Sequence, residues 1–179
     1  TECTQCQSGA YSAAHGATSD HCDNCQAGTY SSADSSQCVG CPADSQSAGS
    51  SDEVGDCVCN PGYTGPDGGD CDTCVAGKYK DSPGTADCTQ CPGGKYSDQQ
   101  GATDISQCVD CPAHSASPGS SDEVGDCECN PGYTGSDGGA CDACVAGKYK
   151  DEAGSAECTQ CPGGKYSDQV GFNFNGCGT

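Results

Sequence analysis

An elongated solenoid of small disulfide-rich modules, with little regular secondary structure beyond short two-stranded β-ribbons, is the fold class this sequence predicts. Three observations predict it. Cysteine supplies 21 of the 179 residues, above the roughly 8–10% at which a chain reads as a disulfide scaffold. Leu, Met and Trp are absent, and one Ile, two Phe and eight Val are the only large aliphatic or phenyl side chains, far below what a chain needs to order itself by burial. Residues 38–101 also align without gaps on 108–171, a period of 70 residues that marks a repeat architecture. The reduced chain is expected to be disordered. Its order has to come from cross-links that shrink the unfolded ensemble, each loop of about 15 residues contributing ~3 kcal/mol. A string of tiny stapled modules follows, because one core of this length cannot be filled.

The repeat divides the chain into two short N-terminal cysteine-rich modules over 1–37, a first four-module unit over 38–107, a second over 108–177 and a tail, 178–179. Gly49–Cys57 returns unchanged as Gly119–Cys127, which points to recent duplication and a longer parent array. Each unit opens with a Cys-x-x-Cys pair, Cys38 to Cys41 or Cys108 to Cys111, and a Ser- and Gly-rich loop. The next module starts at the Cys-x-Cys pair Cys57–Cys59, where Asn60-Pro61-Gly62 predicts a turn with Pro second and Gly third. Pro66-Asp67-Gly68-Gly69 and Ser136-Asp137-Gly138-Gly139 predict tight reversals. The third module carries Gly77-Lys78-Tyr79, and the fourth Cys91-Pro92-Gly93-Gly94-Lys95-Tyr96-Ser97. No window has helical periodicity. Phe172 and Phe174, the two phenylalanines, stand where the second unit departs from the first, as a capping contact, an inter-subunit plug or the start of another domain.

The odd cysteine count constrains the pairing without fixing it. Joining the second Cys of each pair to the first Cys of the next gives Cys6–Cys22, Cys25–Cys38, Cys41–Cys57, Cys59–Cys71, Cys74–Cys88, Cys91–Cys108, Cys111–Cys127, Cys129–Cys141, Cys144–Cys158 and Cys161–Cys177. Cys3 is left at the edge, its partner expected upstream. A crossed pairing, first to third and second to fourth, strands Cys177 instead. The ladder is preferred because it gives every module the same closed loop. Tyr11, Tyr30, Tyr79, Tyr96, Tyr149 and Tyr166 all fall five residues after the second Cys of a pair, and Tyr63 and Tyr133 four after. Rings so placed are expected to pack over the neighbouring disulfide as miniature cores with the hydroxyl in water; a tyrosine stripe for ligand contact is the rival reading.

Abundant cysteine implies an oxidising compartment, hence secretion or display on a cell surface. Neither a leader nor a membrane-spanning apolar run is expected within these residues, and a start at Thr1 is expected of a processed product or fragment. A net charge of −20, with six Lys and no Arg, argues against nucleic acid and anionic membranes and favours cations or basic partners. Zinc ribbons share the Cys-x-x-Cys spacing. However, two pairs are Cys-x-Cys, the pairs run on without grouping in fours, and each four-thiolate site would add negative charge. Redox use of Cys-x-x-Cys needs an electropositive helix N-terminus, which the sequence does not offer. His15, His21 and His114 stand in different modules without a nucleophile and are expected to be ordinary solvated histidines. No catalytic apparatus is visible and no enzyme is expected. Calcium is a weak expectation at Asp67, Asp70 and Asp72, and at Asp52, Glu53 and Asp56; Ala140 in place of Asp70 counts against a dedicated site. O-linked glycans on the many Ser and Thr are a further expectation.

The run Cys88-x-x-Cys91-Pro-Gly-Gly-Lys-Tyr-Ser97, followed by Gly101-Ala-Thr and Cys108, resembles the ephrin-receptor-like cysteine-rich repeat, and Cys41–Ser50 resembles the other half of that pattern. The loop is also similar to single-disulfide modules of tumour-necrosis-factor receptors. Cys57-x-Cys59-Asn60-Pro61-Gly62-Tyr63-Thr64-Gly65 resembles the C-terminal half of an EGF-like module, without the six-cysteine set or the calcium signature. The resemblance extends over nearly the whole chain and implies an extracellular setting, as in receptors, matrix proteins and protist surface proteins, including flagellar hairs (mastigonemes). The expected role is a structural repeat segment of an extracellular filament, a stalk or shaft whose partners are copies of itself or other filament components. The alternative is the ligand-binding or adhesion ectodomain of a receptor.

Overall fold

In a computed structural model, which describes residues 6–12, 22–173 and 176–178, the chain folds as two compact units. One comprises Thr1–Cys74 with Lys80–Cys88, the other Val75–Tyr79 with Thr89–Thr179. Cys3, His15, His21 and Phe174 lie outside the described residues. Among the described residues there are nine two-stranded antiparallel ribbons, every strand two residues long. No α-helix is present among them. Three 3-10 turns, Val54–Asp56, Ile105–Gln107 and Val124–Asp126, each deliver the chain into a cysteine. Ten disulfides are formed, from Cys6–Cys22 through Cys161–Cys177, in the second-to-next-first order, and they close separations of 12 to 17 residues.

One local turn is repeated in every module, and it explains why the ribbons form where they do. The third residue after the second Cys of a pair sits at positive φ, and the fourth donates its N–H back to the first. Thus Tyr63 N–H reaches Asn60 O at 3.1 Å with Gly62 at φ 83°, the Pro-second, Gly-third turn expected there. Lys78 to Val75, Lys95 to Pro92 and Lys148 to Val145 repeat it with Gly77, Gly94 and Gly147. Asp44 (φ 58°) and His114 (φ 64°) take the glycine's place in the first module of each unit. Asp tolerates this conformation because its short polar side chain bonds locally, and His is also enriched there. The turn launches a two-residue strand that pairs at or just before the next module's second Cys: Tyr30 faces Val39, Tyr96 faces Val109 and Tyr149 faces Thr159, whereas Ser45 faces Cys59 and Ser115 faces Cys129.

The turn residue then works in both directions. Where it is glycine its carbonyl receives the N–H of the next module's second Cys, as Cys25 to Gly9, Cys41 to Gly28 and Cys74 to Gly62 in the first unit, whereas Asp44 and His114 accept from Asn60 and Asn130, one residue later. Cys91 to Gly77, Cys111 to Gly94 and Cys161 to Gly147 are the counterparts in the second. Its own N–H reaches a carbonyl one module further on: Gly9 to Ser31 at 2.8 Å and Gly62 to Lys80 at 2.9 Å, or Gly77 to Ser97 at 2.8 Å and Gly132 to Lys150 at 2.8 Å. Successive modules are thereby stitched by main-chain bonds, whose donors and acceptors every residue but proline supplies.

What fills the interior is unusual. The buried apolar side chains among the described residues are cysteines with Ala10 and Ala102. The tyrosines at 11, 30, 63, 79, 96, 133 and 149 are half-buried, and Tyr166 is 65% exposed. Cystine is the core, and the rings lie at its margin.

Glycine is enforced at a few turns by contact as well as by φ. A Cβ on Gly77 would lie 2.3 Å from Ser120 O, and one on Gly132 2.3 Å from Gly171 O; Gly9 meets Ser50 O at 2.3 Å. Gly94, at φ +81°, has nothing within 4 Å. Gly94→Ala is therefore expected to cost only the left-handed penalty, roughly 1–2 kcal/mol, and to refold oxidatively to the same ten bridges. Gly77→Ala should in addition push Ser120 away from Cys91 O. It should then lose the exchange protection of the Ser120 amide, which reaches that carbonyl at 3.0 Å. Equal Ser120 exchange rates in the two variants would show that the close approach does not exist.

Candidate functional site

In six modules the sixth residue after the second Cys of a pair is a buried Ser or Lys; in those that follow Cys59 and Cys129 it is Gly65 and Gly135. Ser31 Oγ donates to Ala10 O at 3.1 Å, Ser47 to Thr29 O at 3.1 Å and Ser117 to Lys95 O at 3.0 Å. Each acceptor is the fourth-position carbonyl of the preceding module. Ser97 holds the same position at 1% exposure, with no hydrogen-bond partner for its Oγ; nothing in the structure explains that exception.

Two modules replace the serine with lysine. Lys80 is 3% exposed and Lys150 5%, although lysine is among the residues least often buried. Lys80 Nζ donates to Tyr63 O at 2.7 Å, again the fourth-position carbonyl, and to Gly84 O. Lys150 Nζ donates to Tyr133 O at 2.8 Å, to Cys129 O at 3.4 Å and to Gly154 O. Gly84 and Gly154 adopt φ of 121° and 114°, open to glycine alone, and their N–H groups are pinned on Cys59 O and Cys129 O. Both lysines follow the shortest loops, Cys59–Cys71 and Cys129–Cys141, of separation 12. A long ammonium side chain takes the place of a hydroxyl behind these loops. Sequence reasoning passed over both residues; the signal lay in Lys standing, once in each 70-residue unit, at a distance from cysteine where most modules have Ser.

The surface is as regular as the interior. Val54 and Val124 are each 39% exposed, Val75 and Val145 are 58% and 59% exposed, and Val39, Val109, Ile105 and Val170 are also on the outside. In a chain so poor in aliphatics, nearly all of them face solvent. His114, expected to be simply solvated, is exposed but stacks on Tyr133, with ring centroids 4.1 Å apart and planes within 8°. An open groove of about 510 Å³ is lined by Tyr11, Asp23, Asn24, Gln26, Thr29 and Gln37. Among the described residues no three His, Cys, Asp or Glu side chains converge as metal ligands, so Asp67, Asp70 and Asp72 form no such group, nor do Asp52, Glu53 and Asp56. No helix among the described residues is long and apolar enough to cross a membrane.

Carboxylates near Val54 and Ile105 have structural tasks. Asp56 accepts the N–H of Asp52 at 2.9 Å and of Glu53 at 3.4 Å, and these backbone donors hold its pKa below the ordinary carboxylate value. Asp104 is lowered by the Ser106 hydroxyl and by the Ser106 N–H, which it accepts at 2.7 Å. A depressed folded pKa contributes order that is complete above the unfolded value and lost as pH falls through the folded one. Acidification below about pH 4 is therefore expected to lower the protection of the Asp52, Glu53 and Ser106 amides, measured against the intrinsic exchange rate at the same pH, while the cystine framework persists. Unchanged protection at pH 2 to 3 would mean that these carboxylates do not hold the turns.

A sequence profile described as tyrosine-protein kinase ephrin type A/B receptor-like matches residues 62–108 and 132–177. Together the two spans cover just over half of the chain, and both contain a Pro-Gly-Gly-Lys-Tyr-Ser loop and one of the two buried lysines, whereas Cys41–Ser50 lies outside. No curated protein matches the chain. Repeats of this kind are extracellular disulfide-rich modules, in keeping with ten bridges that persist only under oxidising conditions. The chain belongs to the ephrin-receptor-like family of cysteine-rich repeats.

Proposed function

We propose that this segment is a structural stretch of an extracellular fibre or stalk, secreted or anchored at a cell surface, whose modules present the same contacts again and again to copies of the chain or to other fibre components. The observation that carries this reading is the periodic outer surface. Val39, Val54 and Val75 recur as Val109, Val124 and Val145 with nearly matched exposure. A surface that repeats every 70 residues suits a partner that repeats as well, because contacts too weak singly add along the array. The charge of −20 opposes association of like chains in dilute salt, so assembly would need screening, cations or basic patches on other components.

A second reading, a ligand-binding or adhesion ectodomain, is favoured by the family match and by the open groove beside Tyr11. Sedimentation of the oxidised protein separates the two. At physiological ionic strength, where the screening length is about 8 Å, the fibre reading expects concentration-dependent association. Val54→Asp, Val75→Asp, Val124→Asp and Val145→Asp combined should weaken it at least about tenfold, since four exposed aliphatic contacts are removed. Monomers at every concentration, in both proteins, would sink the fibre reading and leave the ectodomain.

A further inference from the structure

Lys80 and Lys150 spend two of the chain's six cationic side chains in the interior, although carboxylates are plentiful outside. Their Nζ acceptors are all neutral main-chain carbonyls. An ammonium group has three donors and no acceptor, and Lys150 finds three oxygens, from Cys129, Tyr133 and Gly154. Serine at the corresponding position makes one such bond. The carbonyls are held by the fold and not by the lysine: Gly154 is fixed on Cys129 O, and Cys129 is itself in a disulfide. A set of preoriented neutral oxygens, closed to solvent, attracts cations by its dipoles alone.

We propose that each of these carbonyl cages is a binding site for a primary ammonium ion, filled by the chain's own lysine, so that the joints behind the two short loops are fixed by a tethered cation and require no diffusible metal. The side chain acts as a ligand at permanent saturation. Cages of the same make, seventy residues apart, set the same joint twice.

Chemical rescue tests this. Lys150→Ala removes the ammonium and the three methylenes nearest it, which n-propylammonium replaces. The readout is amide exchange at Gly132 and Gly154, whose N–H groups bond to Lys150 O and Cys129 O. Loss of charge-assisted bonds is expected to raise these rates at least about tenfold. Propylammonium chloride should restore them, and neither sodium chloride nor 1-propanol should. Lys150→Met, which retains volume without charge, should stay fast. If Lys150→Met is protected like the parent protein, or 1-propanol rescues as well as propylammonium, the cage is packing and the proposal fails; absence of rescue by propylammonium also overturns it. Should Lys150→Ala not refold, the unaltered oxidised protein decides. Lys80 and Lys150 should acylate at least about tenfold more slowly than their neighbours Lys78 and Lys148, and a calcium chelator should leave exchange at Gly62 and Gly132 unchanged. Equal acylation, or faster exchange with chelator, would refute the tethered cation.

Discussion

Every feature of this protein depends on the bridge that closes each loop. With cysteine and alanine as the buried apolar residues among those described, the chain has no ordinary means of offsetting the entropy of ordering its backbone. A disulfide across 12 to 17 residues lowers that entropy before any contact forms. The turn, the two-residue ribbon and the inter-module bonds then form among groups already held close together. None of these ribbons would persist alone, since an isolated two-stranded pair is marginal even when longer.

The family assignment and the extracellular setting follow from this scaffold; the fibre reading follows from the surface. The two are linked by economy of side chains. A conventional domain uses its valines inside and has few to spare. Here the cystines occupy the interior, so aliphatic residues stand outside at Val54, Val75, Val124 and Val145. The stitching is main-chain, which leaves the outward side chains at each position free to be matched to a partner without disturbing the fold.

Much of the fold was legible because it rests on local chemistry. Asn60-Pro61-Gly62 announces its own turn, and cysteine spacing confines each module to a loop of fixed size. The odd cysteine count and the spacing left the crossed pairing open, and geometry was needed to choose: all ten pairs come within disulfide distance in ladder order. Burial of Lys80 and Lys150 was not legible. A lysine beside Asp81 or Asp151 reads as a solvated surface charge, and carbonyls, carried by every residue, leave no trace in the sequence. The tyrosines were expected to pack over the disulfides as miniature cores of their modules; among the described residues seven are half-buried and Tyr166 is exposed. His114 escaped notice as the stacking partner of Tyr133 because its turn position is filled by Asp44 in the other unit.

The glycine contacts carry a consequence for how such a chain can lengthen. Gly9, Gly77 and Gly132 each lie against a carbonyl two loops downstream, passing over the loop between. The fit at any loop therefore depends on its neighbour and also on the one beyond. Inserting or deleting a single loop would change which loop stands two places on from each of these glycines. A repeat of four loops, the period at which 38–101 aligns on 108–171, keeps every loop facing the kinds of neighbour it already fits. The array has a grammar, and its smallest repeatable sentence is longer than one word.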